Sequence, residues 1–545
     1  MTPGSDHTTP LPWKISFRSP APAAFDAALR SLVDDRVASR LFDQDPTLWG
    51  PEAEAEAAKR LAWVHLAESS RPLVEQITRL RTEFLAAGLD RVVLCGMGGS
   101  SLAPEVICGA AGVELVVLDS SHPDFVRTVV DEEIARTVVV VSSKSGGTVE
   151  TDSQRRAYEL AFTEAGISPA ERIVVVTDPG SPLHHEASAA GCRVFEADPD
   201  VGGRYSALTA FGLVPCGLAG VDLAQLLDEA AQIQPALAAD DLSNPGLELG
   251  AFLGAAAEHQ VDKLILGDAR PGDSGFGAWV EQLVAESTGK NGTGVLPINV
   301  GTTRSPNFDP STPDSVLVSY GPDTGLSNDA QRWSAHVEAP MGAQMLLWEV
   351  ATAVCGRLLG INPFDQPDVE SAKAAARGML EGTDDSPAPV FSEGGIAVFA
   401  SGDWLPESVS SVAEAVSALL SHIDPDQGYL AIQAYLDRHR DSDLESVRDQ
   451  LAIRTSRPVS FGWGPRFLHS TGQYHKGGPA TGVFLQITGQ PAADLSVPER
   501  PFTFGEFIAA QAHGDGQVLG QRRRPVLRLH LSQPDLLSTL TEALT

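Results

Sequence analysis

Thr137-Val138-Val139-Val140-Val141-Ser142-Ser143-Lys144-Ser145-Gly146-Gly147-Thr148-Val149-Glu150-Thr151 joins a valine run to a polar, glycine-containing loop. A valine run without polar alternation fits a strand buried on both faces, the habit of parallel sheets. It gives way at once to hydroxyls, a lysine and two glycines, and then to a helical stretch starting near Thr148. Similar runs flank it: Val92-Val93-Leu94-Cys95, Val113 to Leu118 and Ile173-Val174-Val175-Val176, with helical stretches between. Valine-rich runs alternating with helices predict βαβ units and an α/β fold. Such sheets bind ligands beyond the carboxyl ends of their strands.

Residues 1 to about 20 are rich in Pro, Ser and Thr and read as a loose tail. Phe25, Leu29, Leu32, Leu61, Val64 and Leu66 recur at helical spacing, so residues 1–90 read as a tail and helical prefix. Residues 91–221 form the first α/β module. After a helical bridge at about 222–260 the strand pattern returns at Lys263–Gly267, Gly294–Val300 and Ser315–Val318. Helices over 345–359 and 368–381 close a second module, 222–381. Residues 382–394 read as a linker by composition. Strand candidates at Ile396–Phe399, Val483–Ile487 and Val526–Leu531 make 395–545 a C-terminal α/β segment.

Bulk chemistry excludes several classes. The chain has 545 residues, with 39 basic against 71 acidic side chains, a net charge of −32. A field of that sign repels nucleic acid and anionic lipid. An anionic metabolite would then need a site with its own local positive potential. The five cysteines include no Cys-x-x-Cys pair, and most lie in apolar context, as expected in a reducing compartment. Met1 to Pro12 lacks the pattern of a signal peptide, and no stretch approaches a membrane span. These features predict a cytoplasmic protein with no nucleic-acid or membrane partner.

Six motifs carry candidate chemistry. Gly96-Met97-Gly98-Gly99-Ser100-Ser101 follows a strand and is either a tight turn or a backbone cradle for an anion. Ser142 to Thr151 offers hydroxyls and amides at a helix start, suited to a phosphomonoester, with Glu150 or Thr151 able to help cap that helix. Neither loop is a Walker A motif. Arg204, within Gly202-Gly203-Arg204-Tyr205-Ser206, could stabilise an oxyanion or make a structural salt bridge. Gln282 and Glu286 stand four apart on a helix, where a glutamate is a base or a solvated charge. Phe364-Asp365-Gln366-Pro367 places Pro367 in the first turn of a helix carrying Lys373. Finally, Gly464 to Pro479 is a polar, glycine-rich loop with His469, His475 and Lys476.

In this order the motifs resemble the glucose-6-phosphate isomerase family. The His-Ser-Thr-Gly-Gln-x-His-Lys-Gly-Gly-Pro ending and Asp45-Pro46-Thr47-Leu48-Trp49-Gly50 resemble the isomerase half of fused transaldolase/isomerase proteins. The resemblance implies two three-layer sugar-isomerase (SIS) modules with parallel sheets. It implies that Gly99, Ser100, Ser143, Lys144, Ser145 and Thr148 hold a sugar phosphate. Glu286 would be the base, Arg204 the stabiliser of an enediolate, and Lys373 an aid at the ring oxygen. Gln282 and Gln366 would position the sugar. Such chemistry needs no redox cofactor and no obligatory metal. Many members carry a ring-opening histidine in a Gly-Gln-His segment; here Gly342-Ala343-Gln344 is followed by Met345. His475 is expected to take that role, with His469 and His336 as further candidates. The resemblance also implies a homodimer, although the C-terminal segment leaves completion within one chain open. Dual activity on mannose 6-phosphate and a non-catalytic sugar-phosphate sensor are the competing readings.

Overall fold

A computed structural model describes residues 12–270, 275–309, 311–322, 331–380 and 388–544, with 370–373 as helix backbone only. The chain opens on strand β1 (Lys14–Arg18). Ile15 and Phe17, which alternate with Lys14, Ser16 and Arg18, pack against the main core. That period-two pattern makes it a strand where composition alone suggested a tail. Helices over Pro22–Asp34, Val37–Phe42 and Arg71–Ala86 follow.

The first sheet contains β2 (Arg91–Gly96), β3 (Val116–Leu118), β4 (Thr137–Ser142), β5 (Ile173–Thr177) and β6 (Arg193–Glu196). Their order is β3-β2-β4-β5-β6, all parallel. Every residue of β2 and β4 is buried, as the unbroken valine runs require. The chain leaves β2 for β3 on one side and returns to β4 on the other, so a switch point opens between the carboxyl ends of β2 and β4.

The second sheet contains β7 (Lys263–Asp268), β8 (Leu296–Thr302), β9 (Ser315–Tyr320) and β10 (Ser334–Glu338). Its order is β1-β10-β9-β7-β8, with only β1 antiparallel. The four parallel strands repeat the connectivity of the first sheet, and helix Phe276–Thr288 makes the β7-to-β8 crossover. Helices Leu223–Leu237, Pro245–Glu258 and Met341–Leu358 pack together in a core shared with the first module.

The C-terminal segment begins earlier than its composition indicates. β11 (Phe391–Glu393), assigned to the linker by sequence, turns through Gly394 and Gly395 into β12 (Ile396–Ser401). Both glycines have positive φ, the conformation a tight reversal requires. Linker residues 382–387 lie outside the described residues. β13 (Tyr429–Tyr435), β14 (Val459–Trp463), β15 (Gly482–Gly489) and β16 (Val526–Leu531) complete the sheet β11-β12-β16-β15-β13-β14. Its parallel part, β14-β13-β15-β16, is a third instance of the same strand order. Tyr429, Tyr474 and Phe484 share a buried cluster with Ile265, Leu296 and Val300 of the second sheet. Val497 and Phe504 join a cluster of the first. Among the described residues no helix is long and apolar enough to cross a membrane.

Candidate active site

The loops after β2 and β4 flank the first switch point. Residues Gly98–Ser100 form a short 3₁₀ turn that lies against the turn Gly203–Tyr205. A Cβ on Gly99 would sit 2.0 Å from the Gly203 carbonyl oxygen, so only glycine permits this backbone approach. Ser100 is carried in that turn, and Arg204 projects from the facing one.

Beyond β4, Ser143 Oγ lies 3.4 Å from Thr148 Oγ1, and Ser145 Oγ accepts from the Gly147 amide at 3.2 Å. Thr148 is the N-cap of helix Val149–Glu164, yet its side chain does not cap it. Its hydroxyl and the first amides of the helix are disposed as an anion cradle would require. Lys144 differs from its neighbours: its Nζ pairs with Asp178 at 2.9 Å and donates to the Pro199 carbonyl. Only the backbone of Lys144 is left to serve this loop. Glu150 reaches the C-terminal module. Its Oε1 lies 2.9 Å from His469 Nε2 and accepts from Gln511 Nε2 at 2.7 Å.

A cavity of about 240 Å³ joins Ser145, Thr148, Glu150 and His469 with Lys476 and Arg377. Sequence reasoning missed Arg377 and Gln511. Each is one of several polar residues on its helix, with no motif to mark it. Lys476 Nζ sits 2.5 Å from buried Asp515.

The second half of the site lies at the seam between modules. Helix Phe276–Thr288 brings Gln282 and Glu286 onto one face. Gln282 Nε2 donates to Glu286 Oε2 at 3.2 Å and to the His469 carbonyl at 2.9 Å. Arg204 Nε is 3.4 Å from Glu286 Oε2, and its Nη groups reach the Asp365 carbonyl and Gln366 Oε1. Arg204 is 5% exposed, which strengthens its interaction with any developing negative charge. Lys290, just beyond this helix, holds the Gln366 loop through the carbonyls of Asn362 and Asp365 and the Asp365 carboxylate, at 2.6–2.7 Å. Burial, and then nearby Arg204, push the Lys290 amine down to about 8. The following helix begins at Val369, two residues after Pro367, so the proline precedes the helix it was assigned to. Lys373 falls within that helix, Val369–Leu380, with its side chain outside the described residues.

The three candidate histidines fall in different surroundings. His475 is 3% exposed and stacks on Tyr429, with Phe484 and Phe467 around it. Its Nδ1 meets the Tyr429 hydroxyl at 3.1 Å, and burial pushes its imidazole down to about 3. It belongs to the core and does not line the cavity. His336 is buried on β10, with Nδ1 2.8 Å from Ser319 Oγ. His469 is the histidine of the three that lines the cavity. The C-terminal module locks this loop in place: Gln473 donates to the Gly289 carbonyl and to Asp368, and accepts from the Asp368 amide.

Paired doubly wound modules that set a hydroxyl-rich anion cradle beside a glutamate–arginine pair place the chain among isomerases of sugar phosphates. No family model matches it. Curated relatives do. A probable glucose-6-phosphate isomerase of Haloarcula marismortui is 29% identical over 345 residues, 54% of this chain and 79% of the relative. That of Natronomonas pharaonis is 30% identical over 345 residues, 54% of this chain and 80% of the relative. Among solved structures, a glucose-6-phosphate isomerase from Chlamydia trachomatis has a TM-score of 0.54 at 20% identity, covering 69% of this chain and 90% of that one. The chain belongs to the glucose-6-phosphate isomerase family.

Proposed function

We propose that the chain interconverts glucose 6-phosphate and fructose 6-phosphate, with its catalytic groups drawn from all three α/β modules. The observation that carries this reading is the double hydrogen bond of Gln282, to Glu286 and to the carbonyl of His469. It ties a carboxylate base to a histidine beside the anion cradle.

The hydroxyls of Ser143, Ser145 and Thr148, the Lys144 backbone and Ser100 hold the phosphate, with Gly99 keeping the two turns close. Arg377 lines the same cavity and adds positive charge within an acidic protein. His469, oriented by Glu150, moves a proton between the ring oxygen and O1 as the pyranose opens. Lys373 assists at the ring oxygen. The C2 proton of the open aldose passes to the Glu286 carboxylate, and the electron pair forms a C1=C2 cis-enediolate. Arg204 stabilises its oxyanion. Glu286 then returns the proton to C1; O2 loses its proton as the ketone forms, and O1 gains one. Gln282 and Gln366 hold the base, the guanidinium and the sugar in register.

The resemblance carries a homodimer with it, and in this reading every group named above comes from one chain. A cytoplasmic location agrees with five cysteines that are all free thiols.

The test is a coupled assay from fructose 6-phosphate in EDTA, with glucose 6-phosphate and mannose 6-phosphate quantified separately. Wild type should form glucose 6-phosphate, and Glu286→Gln should lose about three orders of magnitude or more. A wild-type protein that binds the sugar phosphates without converting them would overturn the reading in favour of a sensor.

A further inference from the structure

The third module has a switch point of its own, and a cavity of about 370 Å³ opens there. That volume is in the range of small-molecule sites. In the strand order β14-β13-β15-β16, the crevice lies at the carboxyl ends of β13 and β15. Tyr435 is the last residue of β13, and Thr488 lies one from the end of β15. The register sets Tyr435 beside Thr488 and Thr488 beside His530, a polar row across three strands. One pleat earlier, Arg528 is paired with Phe399 of β12. Leu527, Leu529 and Leu531 point to the opposite face, into the module's apolar core. The polar row is therefore a built face.

Its donors are under-used. The Arg528 guanidinium lies 4.3 Å from the Phe399 ring centroid, and its Nη1 is 3.5 Å from His513 Nδ1. Among the described residues no carboxylate comes within salt-bridge distance of Arg528. An arginine held in a cavity without a counter-ion is costly unless an anion joins it. The Tyr435 side chain is 2% exposed, and its hydroxyl has no hydrogen-bond partner among the described residues. His530 Nδ1 meets Thr488 Oγ1 at 3.0 Å. Two carboxylates stand at the rim, but both are engaged by backbone amides. Asp494 accepts from Leu495 and Gly505, and Glu506 from Thr503.

We propose that this cavity is a second anion site, taking the phosphoryl group of a small phosphorylated metabolite through Arg528, Tyr435, Thr488 and the two histidines. A guanidinium with convergent hydroxyl and imidazole donors suits a tetrahedral dianion. The cavity is separate from the one at Ser145. Helix Phe504–Gln521 stands between them, turning Phe507 and Gln511 to the first and Ile508, Ala512 and His513 to the second.

Histidine imidazole NMR on the whole chain tests this with inorganic phosphate as the probe and sodium chloride as the ionic-strength control. His469 reports on the first cavity, and His513 and His530 on the second. Phosphate should shift both sets in wild type. Arg528→Gln should abolish the His513 and His530 shifts while leaving the His469 shift and the isomerase KM unchanged. Tyr435→Phe, which keeps the ring packing, should weaken the second event about tenfold, the worth of one buried hydrogen bond. The proposal is overturned if His513 and His530 stay still while His469 moves, if chloride shifts them equally, or if Arg528→Gln leaves their shifts intact.

Discussion

His469 Nε2 lies 2.9 Å from Glu150 Oε1, joining the C-terminal module to the first turn of the helix behind the phosphate loop. A carboxylate fixed to one ring nitrogen sets the orientation and tautomer of an imidazole that handles protons. His469→Gln should lower kcat on cyclic glucose 6-phosphate by about 10²-fold, the usual contribution of one general acid–base group. Glu150→Gln should cost less. His475→Gln should instead lower the melting temperature and leave kcat within about threefold, as a core substitution does. Steady-state kinetics beside thermal melts separate these outcomes.

Gly99→Ala should be far more damaging than its single methyl suggests. The added Cβ meets the Gly203 carbonyl, which is backbone and cannot rotate away. The two turns must part, carrying Ser100 and Arg204 from each other. kcat/KM should fall by about 10²-fold, as misplacement of catalytic groups by an ångström does. Gly203→Ala is the control: its Cβ would meet nothing within 4 Å, and activity should survive.

Arg204→Lys should retain the charge and lose the fork. The guanidinium reaches Glu286, the Asp365 carbonyl and Gln366 at once, which a single ammonium cannot do. kcat should drop by about 10²- to 10³-fold, as for loss of an oxyanion stabiliser, with a smaller change in KM. A variant that raises KM alone would assign Arg204 to ground-state binding.

Lys290 makes a prediction about pH. Burial lowers its amine from 10.5 to about 8. Between those values the unfolded chain holds more protons than the folded one, so stability rises with pH. Below about pH 8 both states bind the proton and the burial cost is paid in full. Relative to Lys290→Met, wild type should therefore gain stability from pH 8 to 10, by at most about 1.4 kcal/mol per pH unit. Denaturant midpoints measured on both proteins across that range check it; a flat difference would remove the lysine's burial cost as the cause.

Much of the first two modules was legible because the signals are local. The valine runs of β2 and β4 and the polar loops behind them identify a parallel sheet and its ligand edge within about ten residues each. β1 was not legible: five residues of alternating character acquire meaning only when β10 offers an edge. In the C-terminal segment, β13 and β14 are short runs whose apolar residues carry no strong period, and the shared strand order appears only once pairing is known. The different surroundings of His469 and His475 were illegible for a related reason. Both lie on one polar, glycine-rich stretch. Residues Gly472–Gly477 coil into a helical turn that swings His475 onto Tyr429, 46 positions earlier in the chain, and leaves His469 beside Glu150. No sequence signal separated them, because Glu150 reads equally well as a helix cap and its contact with His469 spans 319 positions.

The clasp of Gln282 on the His469 carbonyl also bears on how the enzyme comes into being. A ribosome delivers the phosphate loops, the base and the guanidinium well before it reaches residue 469. Until the C-terminal module docks, the Gln282 side-chain amide lacks the partner that turns it toward Glu286, and the imidazole is absent. On the proposed reading a growing chain lacks both that imidazole and the wall of the cavity made by Leu468, Lys476, Phe507 and Gln511, so competence arrives late in synthesis, with the last module to fold.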